Sequence, residues 1–403
     1  MKKNFPLILT VLIFYGCSHE KQVEFAKGDY VTINAKNINL DSNTKLPLSD
    51  FVDNIEIIPL EFTDFCMLKE IRKIVIHNDN IFLIESDKPE TIYRFDIQGN
   101  FLNRIGARGQ GPQELIELLD FSINEEKNIA YLLDNGKQMI YCFDFDGQFI
   151  ERIFMDQHAS RMEYQNGLFY FFRDQPTVGS HLYSLIIRNP KGEIENMYFP
   201  SKQYPISQGN QTFAKTKDGL IFHKPMNDTV YILDGKSLNY AWFFDFGSFR
   251  FTPDEIEDIY MERVPTLQML LKKERLSGID DLFHIGKWVY FNSTYKILSH
   301  SFLHDINSGE LKVFACFIDD LEYMFGDIYG GNKFRGQTQD AFIGTYNVNN
   351  LFRDIERFTR YEEEKLISSI KKEEQVEKMK TIMRGNDTEE MNPWVLIYHL
   401  KKD

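Results

Sequence analysis

The sequence predicts an all-β chain, a six-bladed β-propeller with two helical insertions whose ring is closed by strands from the N- and C-terminal parts of the chain. Three observations carry that prediction. A 13-residue segment recurs at a fixed offset of 48 residues, four β-type runs make up each repeating unit, and an apolar run stands near each end of the chain. A self-similar period near this length, with four strands per unit, is the signature of propeller blades.

The recurring segment is Tyr93-Arg-Phe95-Asp96-Ile-Gln-Gly99-Asn-Phe101-Leu-Asn-Arg104-Ile105, which returns as Tyr141-Cys-Phe143-Asp144-Phe-Asp-Gly147-Gln-Phe149-Ile-Glu-Arg152-Ile153. Its Tyr-x-Phe and Phe-x-x-Arg-Ile halves flank a turn at Gly99 or Gly147, as in an antiparallel hairpin. Two apolar runs precede each copy: Ile71 to Ile76 with Ile81 to Ile84, and Asp120 to Ile123 with Ile129 to Leu133.

Weaker copies follow. The third takes Leu168 to Phe172, Leu182 to Ile187 and a Pro190-Lys-Gly192 turn; the fourth takes Leu220 to Phe222, Val230 to Leu233 and Tyr240 to Phe244. A fifth runs from Leu282 through Trp288 to Phe291, Phe302 to Asp305, a turn at Gly309 and Val313 to Phe317; a partial sixth covers Met324 to Tyr346. A lone blade cannot bury both of its faces, so the units must stack into a closed ring. Closure is assigned to Ile55-Glu-Ile-Ile-Pro-Leu60 and Trp394-Val-Leu-Ile-Tyr398-His-Leu400, which are predicted to share the last blade.

Two stretches break the β pattern, at about 252–276 and 360–384. Thr252-Pro253-Asp-Glu255 is a capping box with proline at the first helical position, and Ile256, Ile259 and Tyr260 follow at helical spacing. The second places Leu366, Ile370, Val376, Met379 and Met383 on one side and stops at Gly385-Asn386. Both read as amphipathic inserts lying on the propeller rim.

The N-terminus has a different character. Met1-Lys2-Lys3, an apolar run from Phe5 to Tyr15 and then Gly16 make the basic start, short greasy middle and small residue of an export signal. Such a run is too short to span a bilayer as a lasting anchor. Because Cys17 follows directly, the arrangement resembles the bacterial lipoprotein signal, which implies removal of residues 1–16 and lipidation of Cys17. An ordinary secretory peptide with a chance cysteine is the other reading. Residues 17–52 then form a tether and N-terminal segment, and 53–403 the propeller.

The chain carries a formal charge of −14, and loss of residues 1–16 removes only Lys2 and Lys3. An acidic surface repels phosphate backbones, so nucleic acid is a poor partner. Cys66, Cys142 and Cys316 have no metal-binding or redox spacing and read as buried small hydrophobes.

With these residues in hand, the chain resembles the six-bladed β-propeller lipoproteins of anaerobic Gram-negative bacteria, distant relatives of NHL-repeat propellers. The likeness rests on Ile58-Pro59-Leu60-Glu61, on Phe95-Asp96-x-x-Gly99 leading into Ile105-Gly106-x-x-Gly109-x-Gly111-Pro112-x-Glu114, and on Asn392-Pro393-Trp394. It implies an outer-membrane lipoprotein, periplasmic or surface-exposed, and no particular activity.

The glycine-rich loop Gly106-Ala-Arg108-Gly109-Gln110-Gly111-Pro112 lacks G-x-G-x-x-G spacing, and Pro112 removes an amide where a phosphate cradle needs one. Arg108, Gln110 and Glu114 are instead candidates to project at the mouth of the central channel and bind a ligand. His300 and His304, four apart in a predicted strand, share a face only at about 13 Å and read as structural. Asp134-Asn135, Asp174 and Asn227-Asp228 lie between second and third strands, where turn chemistry accounts for them; such positions also line channels or hold calcium. No nucleophile-elbow or zinc-protease motif occurs. The favoured expectation is therefore a non-enzymatic binding or scaffold module for a glycan, peptide or envelope protein, without a cofactor. The alternative is a lyase or hydrolase using a channel-bound calcium.

Overall fold

The structure is a computed structural model that describes residues 26–40, 44–87, 89–173, 183–200, 211–224, 226–252, 254–255, 274–296, 298–322, 327–329, 334–348, 373–374, 376–378, 381 and 391–402. Six blades of four antiparallel strands form the ring, one of them widened by a fifth strand. Blade 1 comprises Ile71–His77, Asn80–Glu85, Ile92–Asp96 and Phe101–Ile105. Blade 2 comprises Leu118–Asn124, Ile129–Asp134, Met139–Asp144 and Phe149–Phe154. Blade 3 takes Arg161–Gln165, Leu168–Phe172, Tyr183–Arg188 and Ile194–Pro200. Blade 4 takes Phe213–Thr216, Gly219–His223, Thr229–Asp234 and Ser237–Asp245. Blade 5 takes Asp280–Ile285, Trp288–Tyr295, Leu298–Asp305 and Leu311–Phe314.

Blade 6 closes the ring as expected. Phe334–Gln337, Ala341–Tyr346 and Trp394–Leu400 supply three strands, and Val52–Pro59 adds the outermost, with Val395 opposite Ile58 and Tyr398 opposite Ile55. Asn392, just before Trp394, reinforces the join: its side-chain nitrogen donates to the Glu61 and Cys66 carbonyls at 2.7 and 3.0 Å, and its oxygen accepts from Leu68 N at 2.7 Å.

Each pair of neighbouring blades encloses one apolar wedge. Phe82 and Ile84 of blade 1 pack with Phe121 and Leu132 of blade 2, and Tyr170 and Phe172 of blade 3 with Phe222 and Tyr231 of blade 4. Large rings suit a wedge that widens away from the axis. Cys66 and Cys142 lie in these wedges and Cys316 is buried outside them, none of the three in a disulfide, and burial pushes the Cys66 and Cys142 thiols up to about 12.

The repeated hairpins explain their glycines. Gly99 and Gly147 have φ of +89° and +84°, a region costly for residues with a side chain. Each turn also leans on the blade before it: a Cβ at Gly99 would lie 2.1 Å from the Pro59 carbonyl oxygen, and one at Gly147 2.9 Å from that of Arg104.

Three features differ from the sequence reading. The run Val313 to Phe317 breaks at Ala315, because Leu311–Phe314 ends blade 5 whereas Cys316–Ile318 joins a small separate sheet with Lys45–Pro47 and Asp327–Tyr329. The N-terminal segment contributes a strand: Val31–Asn34 runs parallel to the outer strand of blade 4 as a fifth strand, on the way to blade 6. The inner strands Arg161–Gln165 and Phe213–Thr216, unread in the sequence, complete blades 3 and 4.

The residues of the two helical inserts lie mostly outside the described ones, as does Met324. At the first, Thr252 N donates to Glu255 Oε2 at 3.0 Å and Glu255 N to Thr252 Oγ1 at 3.2 Å, the reciprocal pair of a capping box. Residues 373–374, 376–378 and 381 are helical, and Lys378 pairs with Glu322 at 2.7 Å.

Candidate functional site

The two faces of the ring are unlike. In an antiparallel blade, the first-to-second and third-to-fourth turns lie at one end, and the second-to-third turn lies at the other with the link to the next blade. At the first end no turn between consecutive strands exceeds five residues. All longer connections, including 246–279, 315–333 and 347–393, begin and end on the opposite face.

Six inner strands surround the axis, and their polar residues meet there. Lys73 of blade 1 donates to Asp120 Oδ1 of blade 2 at 3.1 Å and to the Phe121 carbonyl at 2.7 Å, and reaches Glu163 of blade 3 at 3.5 Å. Lys215 of blade 4 pairs with Glu163 at 3.2 Å and Glu125 at 3.7 Å. Ser122 Oγ donates to Glu163. Contacts spanning four blades occur only where inner strands converge, so these groups form a belt across the channel. Gln337 of blade 6 extends it, donating to the carbonyls of Lys215 and His284 at 2.7 and 3.0 Å.

The belt is buried: Lys73, Asp120 and Glu163 are 8%, 3% and 6% exposed. Burial alone would raise the Glu163 carboxyl, but Lys215, Lys73 and Ser122 together hold it below its ordinary value. Calcium takes about six to eight oxygen ligands. Asp120 already accepts from Lys73 and from the Phe121 and Met162 amides, at 2.8 Å each for the amides, and Glu163 is held between two ammonium groups. The axial carboxylates do not fit that ion, and no group of three metal-binding side chains occurs among the described residues.

A second buried acid lies in blade 5. Desolvation, with Asp281 beside it and Ser277 donating at 2.9 Å in opposition, pushes Asp280 up to about 8. A carboxyl whose folded value exceeds its unfolded one loses stability as pH rises, here across the window from about 4 to about 8. Asp280→Asn is therefore expected to change little at pH 4 and to raise stability by about 2–4 kcal/mol at pH 8. Urea midpoints at the two pH values check this, and an equal effect at both would contradict it.

Of the residues singled out in the sequence, Cys17 and Asp174 lie outside the described ones. Arg108, Gln110 and Glu114 stand on the long-connection face, in the link from blade 1 to blade 2. That loop sits over the outer half of blade 2, where Lys137 donates to the Gly111 and Glu114 carbonyls at 2.9 and 2.6 Å and Arg152 to that of Pro112 at 3.2 Å. Glu114 folds back to accept from Gly111 N at 2.7 Å, Arg108 pairs with Glu90 at 3.6 Å, and Gln110 is exposed.

Asp134 accepts from the amides of Ile116, Glu117 and Gly136 at 3.0, 3.1 and 3.0 Å, and Asn227 from Thr229 N at 3.0 Å, which is turn chemistry. Asp228 pairs with Arg250 at 3.1 Å. His304 Nδ1 meets the Glu310 carbonyl at 3.0 Å, in the same strand as His300. A groove of about 440 Å³ between Asn34, Asn37, Asn39 and Leu311 lies on the outer edge, away from the axis.

A family model described as a domain of unknown function, DUF4934, matches residues 30–399. No curated protein matches the sequence. Among solved structures, the chain is similar to a Bacteroides fragilis protein described as exported, with a TM-score of 0.72 and 16% identity over 92% of this chain and 100% of that one. A member of the DUF4221 family from Bacteroides vulgatus superposes with a TM-score of 0.48 and 11% identity over 87% of this chain and 97% of that one. The first of these likenesses is one of fold.

Proposed function

The chain belongs to the DUF4934 family, and on that footing we propose that it is a lipid-anchored propeller of the cell envelope that binds a glycan, peptide or protein partner through its long-connection face. The asymmetry of the two faces carries this reading. One face holds only tight turns, while the longer connections between blade strands start and finish on the other, the arrangement by which rigid scaffolds present binding loops. Exposed Arg108 and Gln110 extend that face outward.

Envelope location is supported by the signal-like N-terminus with Cys17 and by the fold shared with a Bacteroides fragilis protein described as exported. The enzyme alternative draws no support from the axis, where lysines occupy the surroundings of both carboxylates.

Purified mature protein, applied to a glycan array and used as bait in envelope extract, should retain a ligand. Turnover of a substrate with no retained ligand in either assay would count against the binding role. In cells, Cys17→Ala should move the protein from the membrane to the soluble fraction.

A further inference from the structure

The channel mouth on the long-connection face carries a charge arrangement separate from the belt beneath it. Arg72 occupies a bulge between Ile71 and Lys73 where the inner strand of blade 1 begins, and Arg335 occupies the corresponding bulge between Phe334 and Gly336 in blade 6. A bulge inserts one residue and re-aims its side chain. Blades 6 and 1 are neighbours in close contact, since a Cβ at Gly336 would lie 2.2 Å from the Ile74 carbonyl oxygen. The two bulges therefore stand at one level on the inner strands of adjacent blades, at the end where those strands begin, and Arg72 Nη2 donates there to the Leu119 carbonyl of blade 2.

Arg335 reaches over to Glu70, with Nη2 3.2 Å from the carboxylate, yet its side chain is only 10% exposed. Its Nε is buried without a hydrogen-bond partner. Buried polar groups nearly always find partners, so an orphaned guanidinium N–H calls for an acceptor. Arg161 opens the inner strand of blade 3. Burial brings the Arg72 guanidinium down to about 10, with Asp120 opposing and Arg161 pushing the same way, which places the two arginines within each other's field. The neighbouring acids are spoken for or turned to solvent: Asp281 Oδ1 accepts from Gln211 N at 2.8 Å, Asp120 belongs to the belt, and the Glu70 side chain is 68% exposed. Cationic groups thus gather at one mouth of a chain whose formal charge is −14.

We propose that this mouth is an anion site, in which Arg335 and Arg72, with Arg161 completing the rim, hold a carboxylate or sulfate carried by the ligand. Guanidinium groups match such oxyanions with paired, charge-assisted hydrogen bonds. The ion-paired belt beneath forms the floor, so the anion is held at the mouth. This inference rests on the binding role proposed above and adds the chemical class of what is bound.

Calorimetric titration of the full mature protein at low ionic strength tests it, with sodium sulfate, sodium glucuronate and uncharged glucose as probes. Saturable binding of at least one anion and none of glucose is expected, with affinity falling roughly tenfold to hundredfold in Arg335→Gln. Arg72→Gln should weaken binding in the same direction. Melting curves establish that each variant is folded; Arg335 gives up one pair to an exposed carboxylate, which costs little. Absence of binding by both anions at millimolar concentration, or unchanged affinity in both folded variants, overturns the site. Array or pull-down ligands held equally by wild type and both variants would sink the anion site while leaving the binding role standing. Anion binding through Arg335 with no array or pull-down ligand would sink the binding role and keep the site.

Discussion

Lys73→Met is expected to destabilise the fold by about 3–5 kcal/mol, because it leaves buried Asp120 without its ion-pair partner and buried Glu163 with only one of its two ammonium partners. Lys73 touches Asp120 at 3.1 Å and Glu163 at 3.5 Å, all three less than a tenth exposed, so water cannot replace the lost ammonium. The Glu163 carboxyl, held low partly by Lys73, would rise. A carboxyl with a depressed folded value stabilises above its unfolded value, and that contribution is lost as pH falls through the folded one. Its acid unfolding limb should therefore move to higher pH in Lys73→Met. Adding Glu163→Gln to the variant removes the buried charge that has lost one of its two cations and should recover part of the loss, a coupling measurable by a double-mutant cycle in urea. A loss below about 1 kcal/mol for Lys73→Met would mean that the belt behaves as a solvated surface pair.

Gly99→Ala should cost about 2–5 kcal/mol, from two sources that can be separated. The positive φ of +89° costs an alanine roughly 1–2 kcal/mol. Overpacking adds about 1–3 kcal/mol, because the new Cβ would fall 2.1 Å from the Pro59 carbonyl oxygen, on the strand that closes the ring. Gly167→Ala is the control: its φ is +78°, but a Cβ there meets nothing within 4 Å. Chemical denaturation should show the control losing only the conformational part. Equal losses at the two sites would mean that the hairpin of blade 1 is free to move off blade 6.

The sequence by itself determined the ring. The 48-residue recurrence, the turn glycines and the pairing of Ile55–Leu60 with Trp394–Leu400 are local or periodic signals, because inter-blade wedges demand apolar residues at every second strand position. Hidden were the inner strands of blades 3 and 4, Arg161-Met-Glu-Tyr-Gln165 and Phe213-Ala-Lys-Thr216. They carry charge at positions that face the channel, so they lack the apolar signature of a strand, and nothing in their spacing pairs Glu163 with Lys215 or Lys73. The glycine loop with Arg108, Gln110 and Glu114 drew notice as a motif, yet its place over the outer half of blade 2 depends on Lys137 and Arg152, which no spacing reveals. Only the tertiary structure brought Lys73, Asp120, Glu163 and Lys215 to one axis, and set the bulges that carry Arg72 and Arg335 on neighbouring inner strands of blades 1 and 6. Charge pairs are made between blades that a chain of this length joins only through ring closure, and periodicity along the chain carries no record of who meets whom across it.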